Sequence, residues 1–170
     1  HTLQVKTSAE TTDDTSPSYA ITASTTLAIT SALPNPSAIN ADAGYVIAFQ
    51  LGSASPLAIG DQIIVDFDDL TGVPALMSGG DVRVNNTAAT IAPFTDVVSK
   101  QVTVTTPVAV SANGSVTLVF ANIAGLTNPS SAATYLLNVS TNVQPAPQTS
   151  PTFAITPATS SIGAASVTPS

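Results

Sequence analysis

The sequence predicts an all-β chain, an antiparallel two-sheet sandwich of the immunoglobulin-like or jelly-roll-like kind with extended N- and C-terminal strand tails. Three observations predict it. Large apolar residues recur with a period of two. No segment of ten or more residues shows a helical period. The apolar runs are short, rich in β-branched residues and bounded by Gly, Pro, Asn and Ser.

Along the chain, residues 1–18 read as a tail. A short apolar strand, Leu3–Thr7, is followed by a polar, turn-like stretch over 8–18. Residues 19–157 read as the sandwich domain. Tyr45, Ile47, Phe49 and Leu51 alternate with Val46, Ala48 and Gln50, and Ile63, Val65 and Phe67 with Gln62, Ile64 and Asp66. Val82 and Val84, Val102 and Val104, and Val116, Leu118 and Phe120 give the same pattern, as do Tyr135, Leu137 and Val139, and Phe153 and Ile155. One face of each run is thereby expected in the core. Asn113-Gly114 tolerates two positive φ angles, which predicts a tight hairpin between strands over 102–110 and 115–121. Pro74–Met77 allows a single helical turn. Residues 158–170 are rich in Ser, Thr and Ala, with only Ile162 and Val167 as large apolar groups, and read as a second extended tail.

Composition narrows the function. The chain has 170 residues, of which 44 % are hydrophobic and only 8 % charged; Lys6, Arg83 and Lys100 face ten acids, for a net charge of −7. Nucleic-acid binding needs clustered Lys and Arg and is excluded as a main activity. Docking on anionic lipid is disfavoured for the same reason. There is no Cys, hence no disulfide or thiolate chemistry, and no apolar run reaches the length of a membrane span. His1 in place of Met is read as the scar of a removed secretion signal, which places the chain outside the cell.

The chain also carries an internal echo: Ser16-Pro17-Ser18-Tyr19-Ala20-Ile21-Thr22-Ala23 returns as Ser150-Pro151-Thr152-Phe153-Ala154-Ile155-Thr156-Pro157. Serially joined units produce such similarity between the strand opening one unit and the strand closing it. With this echo go the opening Ala28-Ile29-Thr30, Pro34-Asn35-Pro36 and Ala43–Phe49. Leu57–Phe67, the hydroxyl-rich pair around Asn113-Gly114, Ile123–Ser130 with Asn138–Thr141, and Pro151–Pro157 complete the set. On these segments, roughly residues 27 to 157, the chain resembles β-sandwich repeats of bacterial and archaeal surface-layer and other large secreted cell-surface proteins. It departs from them in size, since those repeats sit inside very long chains. As a free-standing unit it is similar in plan to subunits of extracellular filaments that polymerise by donating a strand to a neighbour. That resemblance implies a structural role and copies of the chain itself as partners.

Residues that bear chemistry are few. A triad needs an imidazole base, and the only histidine is terminal; an amino-terminal copper site needs a second His that the chain lacks. No Trp and few other aromatics weigh against sugar platforms. Gly79-Gly80 is an isolated turn and not a phosphate loop. Asp66, Asp68 and Asp69, with Asp61 upstream, form the densest acidic group, a candidate Ca²⁺ site whose plainer reading is a solvated strand end. No other cofactor is expected. Three sequons are candidate N-glycan acceptors: Asn85-Asn86-Thr87, Asn113-Gly114-Ser115 and Asn138-Val139-Ser140, with Asn85 and Asn138 expected to point outward from strands and Asn113 to sit in a turn.

The sequence thus leads to a non-enzymatic subunit of an extracellular filament, with Leu3 and Val5 as the strand-exchange residues. The C-terminal Ile162 to Val167 segment is the alternative donor. A monomeric adhesin or carbohydrate-binding module, or a surface-layer lattice protein, is the competing expectation.

Overall fold

A computed structural model describes residues 26–67 and 72–158, together with 4–5, 8–9, 14–15 and 17. The chain is built of antiparallel strands, as the alternation requires. In order these are β1 (Gln4–Val5), β2 (Asp14–Thr15), β3 (Ala28–Asn35), β4 (Gly44–Gln50), β5 (Gln62–Asp66), β6 (Val82–Val84) and β7 (Thr87–Ala88). There follow β8 (Phe94–Asp96), β9 (Gln101–Thr105), β10 (Ser115–Phe120), β11 (Ala133–Tyr135), β12 (Asn138–Thr141), β13 (Gln148–Thr149) and β14 (Phe153–Ile155). Two five-stranded sheets form the sandwich, one in the order β3-β4-β10-β6-β7 and the other β13-β12-β5-β9-β8. β11 pairs with β14, and β1 with β2, as separate two-stranded ribbons.

The inward face of each strand is the one the alternation selects. Tyr45, Ile47 and Phe49 of β4 lie in register with Phe120, Leu118 and Val116 of β10, and all six are buried. In the facing sheet Ile63 and Val65 pair with Val104 and Val102 and are likewise fully buried. One end of the sandwich is closed by aromatic rings. Tyr45 meets Phe67 edge to face at 5.4 Å, and Phe67 meets Phe120 at 5.8 Å. Phe153 of β14 adds a third such contact to Tyr45, at 5.9 Å, so one tyrosine ring joins both sheets and the closing strand.

The chain alternates between layers. β3 and β4 form a hairpin in one sheet, β5 lies in the other, β6 and β7 return to the first, and β8 and β9 cross back again. This corrects the hairpin expected at Asn113-Gly114. β9 pairs with β5 and β8, whereas β10 pairs with β4 and β6, so the turn joins two sheets. Asn113 alone is left-handed there, at φ 59°, and the Gly114 amide closes the turn onto the Ser111 carbonyl at 2.9 Å. Gly is required at 114 for space, because a Cβ would lie 2.7 Å from that carbonyl oxygen. The turn with two positive φ angles falls instead at Asn85-Asn86, φ 47° and 65°, which joins β6 to β7 with Val84 opposite Thr87. Asn85 is therefore a turn residue and not the strand residue expected.

Two smaller differences follow from local geometry. The short helical turns are 3-10 turns at Gly79–Asp81 and Asn122–Ala124, and Pro74–Met77 forms none. Gly79 fits because its Cα passes over the Ala89 backbone; a Cβ would stand 2.5 Å from the Ala89 oxygen. In the N-terminal tail, the stretch expected to be a plain linker supplies β2, whose Asp14 and Thr15 pair with Val5 and Gln4.

Two loops at the aromatic end, that of Asn128 and the β3–β4 loop, are tied to each other and to Tyr45 of β4 by one amide. Asn128 is fully buried; its Oδ1 accepts from the Tyr45 hydroxyl at 2.7 Å, and its Nδ2 donates to the Pro36 and Ala38 carbonyls, both at 2.8 Å. Its backbone N–H donates to the Ala41 oxygen at 2.9 Å. A buried amide with its donors and acceptor engaged fixes a loop arrangement that apolar contacts alone leave loose.

Candidate assembly and modification surfaces

Sheet edges are the first surface, since an edge strand presents unpaired backbone donors and acceptors. β3 is the longest edge, with eight residues, and among the described residues it has β4 as its one ladder partner. It carries two features that natural edges use. A bulge falls between Ile29 and Ser31, and Pro34 sits opposite Tyr45, where a missing N–H is tolerated if that position faces away from β4. The other edges are shorter: β7 and β13 have two residues each and β8 three. Of the two residues expected to exchange between subunits, Val5 lies in β1, opposite Asp14, and Leu3 lies outside the described residues. Ile162 and Val167 also lie outside them, as does most of the first copy of the internal echo; the second copy forms β14.

Beside β8 lies an exposed apolar group. The Thr95 hydroxyl donates to the Ala75 carbonyl at 2.9 Å, which holds the 74–78 loop against the edge strand. Leu76, Ile91, Phe94, Val97 and Val98 are all solvent-exposed along this region. Leu76 at 89 % and Val98 at 93 % are exposed far beyond what a core residue shows.

The two described members of the acidic group, Asp61 and Asp66, lie at opposite ends of β5. Asp66 ends the strand, in register with Gln101 on one side and Asn138 on the other. Asp61 precedes the strand's opposite end and is held locally: Oδ2 accepts the Ala58 N–H at 2.6 Å and Oδ1 the Asn142 Nδ2 at 2.9 Å. The Asn142 bond, then the Ala58 bond, lowers the Asp61 pKa below the usual carboxylate value. Asp68 and Asp69 lie outside the described residues. Among the described residues, no three His, Cys, Asp or Glu side chains gather as metal ligands.

Asp96 serves the β8–β9 turn. Its Oδ1 accepts the N–H groups of Val98 and Ser99, and the Ser99 bonds, followed by that of Val98, lower its pKa. A cleft at the end of the first sheet is lined by Asn35, Pro36, Val46, Val119, Ala121 and Asn122 over Tyr45. Tyr45 is the one titratable side chain in that lining, and burial pushes its phenol far above the usual range, so it stays neutral.

The three sequons occupy different settings. Asn85 is exposed, but both ends of its amide bond to β10: Nδ2 donates to the Ser115 carbonyl at 3.2 Å and Oδ1 accepts the Thr117 N–H at 2.8 Å. Asn138 is half-buried within β12, between β5 and β13, and accepts the Thr149 hydroxyl at 2.8 Å. Asn113 is exposed in its turn; its backbone is fixed by Gly52 and by the Gln50 amide, while no described residue bonds its side chain. The double amide bond of Asn85 was not evident from sequence, although consecutive Asn residues between two β-branched runs carry the signal for the turn.

No helix among the described residues is long and apolar enough to cross a membrane. No protein-family description and no curated protein matches the chain. Among solved structures it is similar to BslA, a bacterial hydrophobin, with a TM-score of 0.45 and 12 % identity over 78 % of this chain and 100 % of that one.

Proposed function

We propose that the chain is a structural subunit of an extracellular filament, joined to copies of itself by strand addition between subunits and carrying no catalytic centre. The observation that carries the reading is the edge of β3, eight residues long and with β4 as its one ladder partner among the described residues. A strand laid along such an edge gains a row of backbone hydrogen bonds, each worth about 0.5–1.5 kcal/mol net, and alternate side chains supply specificity. The donor is the N-terminal segment around Leu3 and Val5, which reaches a neighbour once β1 leaves β2 or offers its second edge. A head-to-tail contact of this kind that does not close a ring propagates as a fibre.

The exposed apolar group beside β8 favours a second reading, a surface-layer lattice or adhesin whose contacts are lateral. Negative-stain electron microscopy of the protein from its native host separates the two. Uniform filaments with an axial repeat of one small domain support the first reading. Flat arrays or discrete monodisperse particles overturn it. Deletion of residues 1–15 is expected to leave folded, unpolymerised protein, and fibres that persist unchanged overturn the amino-terminal donor.

A further inference from the structure

The three sequons are equivalent as sequence and unequal in the fold. We propose that Asn113 alone accepts an N-linked glycan on the folded chain, and that Asn85 and Asn138 are structural asparagines whose sequons stay bare.

The attached group comes from a lipid-linked oligosaccharide phosphate. The Asn Nδ2–C1 bond forms, the C1–O bond to the phosphate breaks, the phosphate keeps that electron pair, and Nδ2 gives up one proton. The reaction therefore needs an amide nitrogen that can leave its surroundings and enter a transferase, with the hydroxyl two residues on presented beside it.

Asn85 fails on the first requirement. Its amide continues the β6–β10 ladder past Val84 as a backbone unit would, with Nδ2 on Ser115 O and Oδ1 on Thr117 N, while its own N–H donates to Thr117 O at 2.9 Å. Withdrawing the side chain gives up both bonds at the open end of that ladder. Asn138 fails on the second. It is paired on both sides, to Asp66 and Thr149, and the Ser140 hydroxyl belongs to a residue only 8 % exposed. An extended, doubly paired strand cannot bend around a transferase site without opening the sheet.

Asn113 meets both requirements. It projects from a closed turn at φ 59°, its side-chain amide has no bonding partner among the described residues, and Ser115 is exposed. The glycan would stand at the end of the sandwich where β4 ends and β10 begins, one strand across from Ala28 at the start of β3. The inference does not depend on the filament reading.

The test is site-resolved glycopeptide mass spectrometry on the protein from its native host, together with three hydroxyl variants expressed there. Ser115→Ala, Thr87→Ala and Ser140→Ala each erase one sequon and leave its Asn in place. The expected result is a glycan on the Asn113 peptide, lost completely in Ser115→Ala and unchanged in the other two. Wild-type protein without N-glycan overturns the proposal. So does retention of the glycan mass in Ser115→Ala, or occupancy of Asn85 or Asn138 equal to that of Asn113. Circular dichroism controls for folding; should Ser115→Ala fold poorly, Asn113→Asp removes the acceptor with a residue that tolerates the left-handed turn.

Discussion

Replacing Asn128 with Ala removes three heavy atoms and disconnects its own loop from the β3–β4 loop and from Tyr45 of β4. The Tyr45 hydroxyl, on a residue with no solvent exposure, loses its acceptor, and a stranded buried hydroxyl costs about 1–3 kcal/mol. The Pro36 and Ala38 carbonyls lose the Nδ2 donor. Both residues are partly or largely accessible, so water replaces that donor, and each loss is nearer 0.5–1.5 kcal/mol. The expected destabilisation is about 4 kcal/mol, a fall of about 10 °C in Tm for a chain of this length. Urea denaturation followed by circular dichroism measures it. A double-mutant cycle sharpens it. In Tyr45→Phe the hydroxyl is gone, so adding Asn128→Ala no longer strands it, and the double variant should be more stable than additivity implies by about 1–2 kcal/mol. An Asn128→Ala variant within about 1 kcal/mol of wild type, or strict additivity in the cycle, would refute the view that this amide organises the loops.

Other expectations concern titration and turns. The Tyr45 phenol titrates higher in the folded chain than in the unfolded one, so its contribution is intact below about pH 10 and is lost as the pH rises beyond it; Tyr45→Phe should flatten the alkaline limb of a plot of urea midpoint against pH. Asp61 and Asp96 have lowered pKa values, so their stabilising bonds persist above about pH 4 and weaken as acid titrates them, and Asp61→Asn should remove part of the acid limb. Asn85→Ala loses both amide bonds and a residue tolerant of positive φ; a cost of about 2 kcal/mol in thermal denaturation is expected, with no change in glycan mass. Gly79→Ala forces a Cβ to within 2.5 Å of the Ala89 oxygen and should destabilise by about 1–3 kcal/mol, whereas Gly80→Ala, with its nearest contact at 3.7 Å, should be close to neutral.

Which side chains enter the core was legible because the period of two is a local property. Tyr45, Ile47, Phe49, Ile63, Val65, Val116, Leu118 and Phe120 are buried as their alternation requires. Which strands pair was not legible, since pairing depends on a chain that changes sheet after nearly every hairpin. The Asn113-Gly114 dipeptide predicts a turn correctly and its partners wrongly, because a turn signal does not encode the direction in which the chain leaves it. Asn128, which the following Pro129 bars from being a sequon, is the most connected buried amide described. Only the three-dimensional convergence of the Tyr45, Pro36 and Ala38 segments assigns it that role. That β3 is the longest sheet edge among the described residues was not legible either, since it requires the sheet order.

The alternation of the chain between layers also sets the order in which the molecule can come into being. The central pairing of the first sheet joins Phe49 to Val116, and the second sheet needs Val139 beside Val65. The first sheet lacks its central strand until residue 120 has emerged, and β5 lacks its second neighbour until residue 141, so synthesis presents a long polypeptide with much of its apolar stripes uncovered. Folding that waits on such distant partners is slow for its size, on the millisecond-to-second scale of other all-β domains. A fragment ending after Thr105 lacks β10, the partner of β4 on the side away from β3, and β12 beside β5, and it should remain unfolded; the chain acquires its form late and as one event.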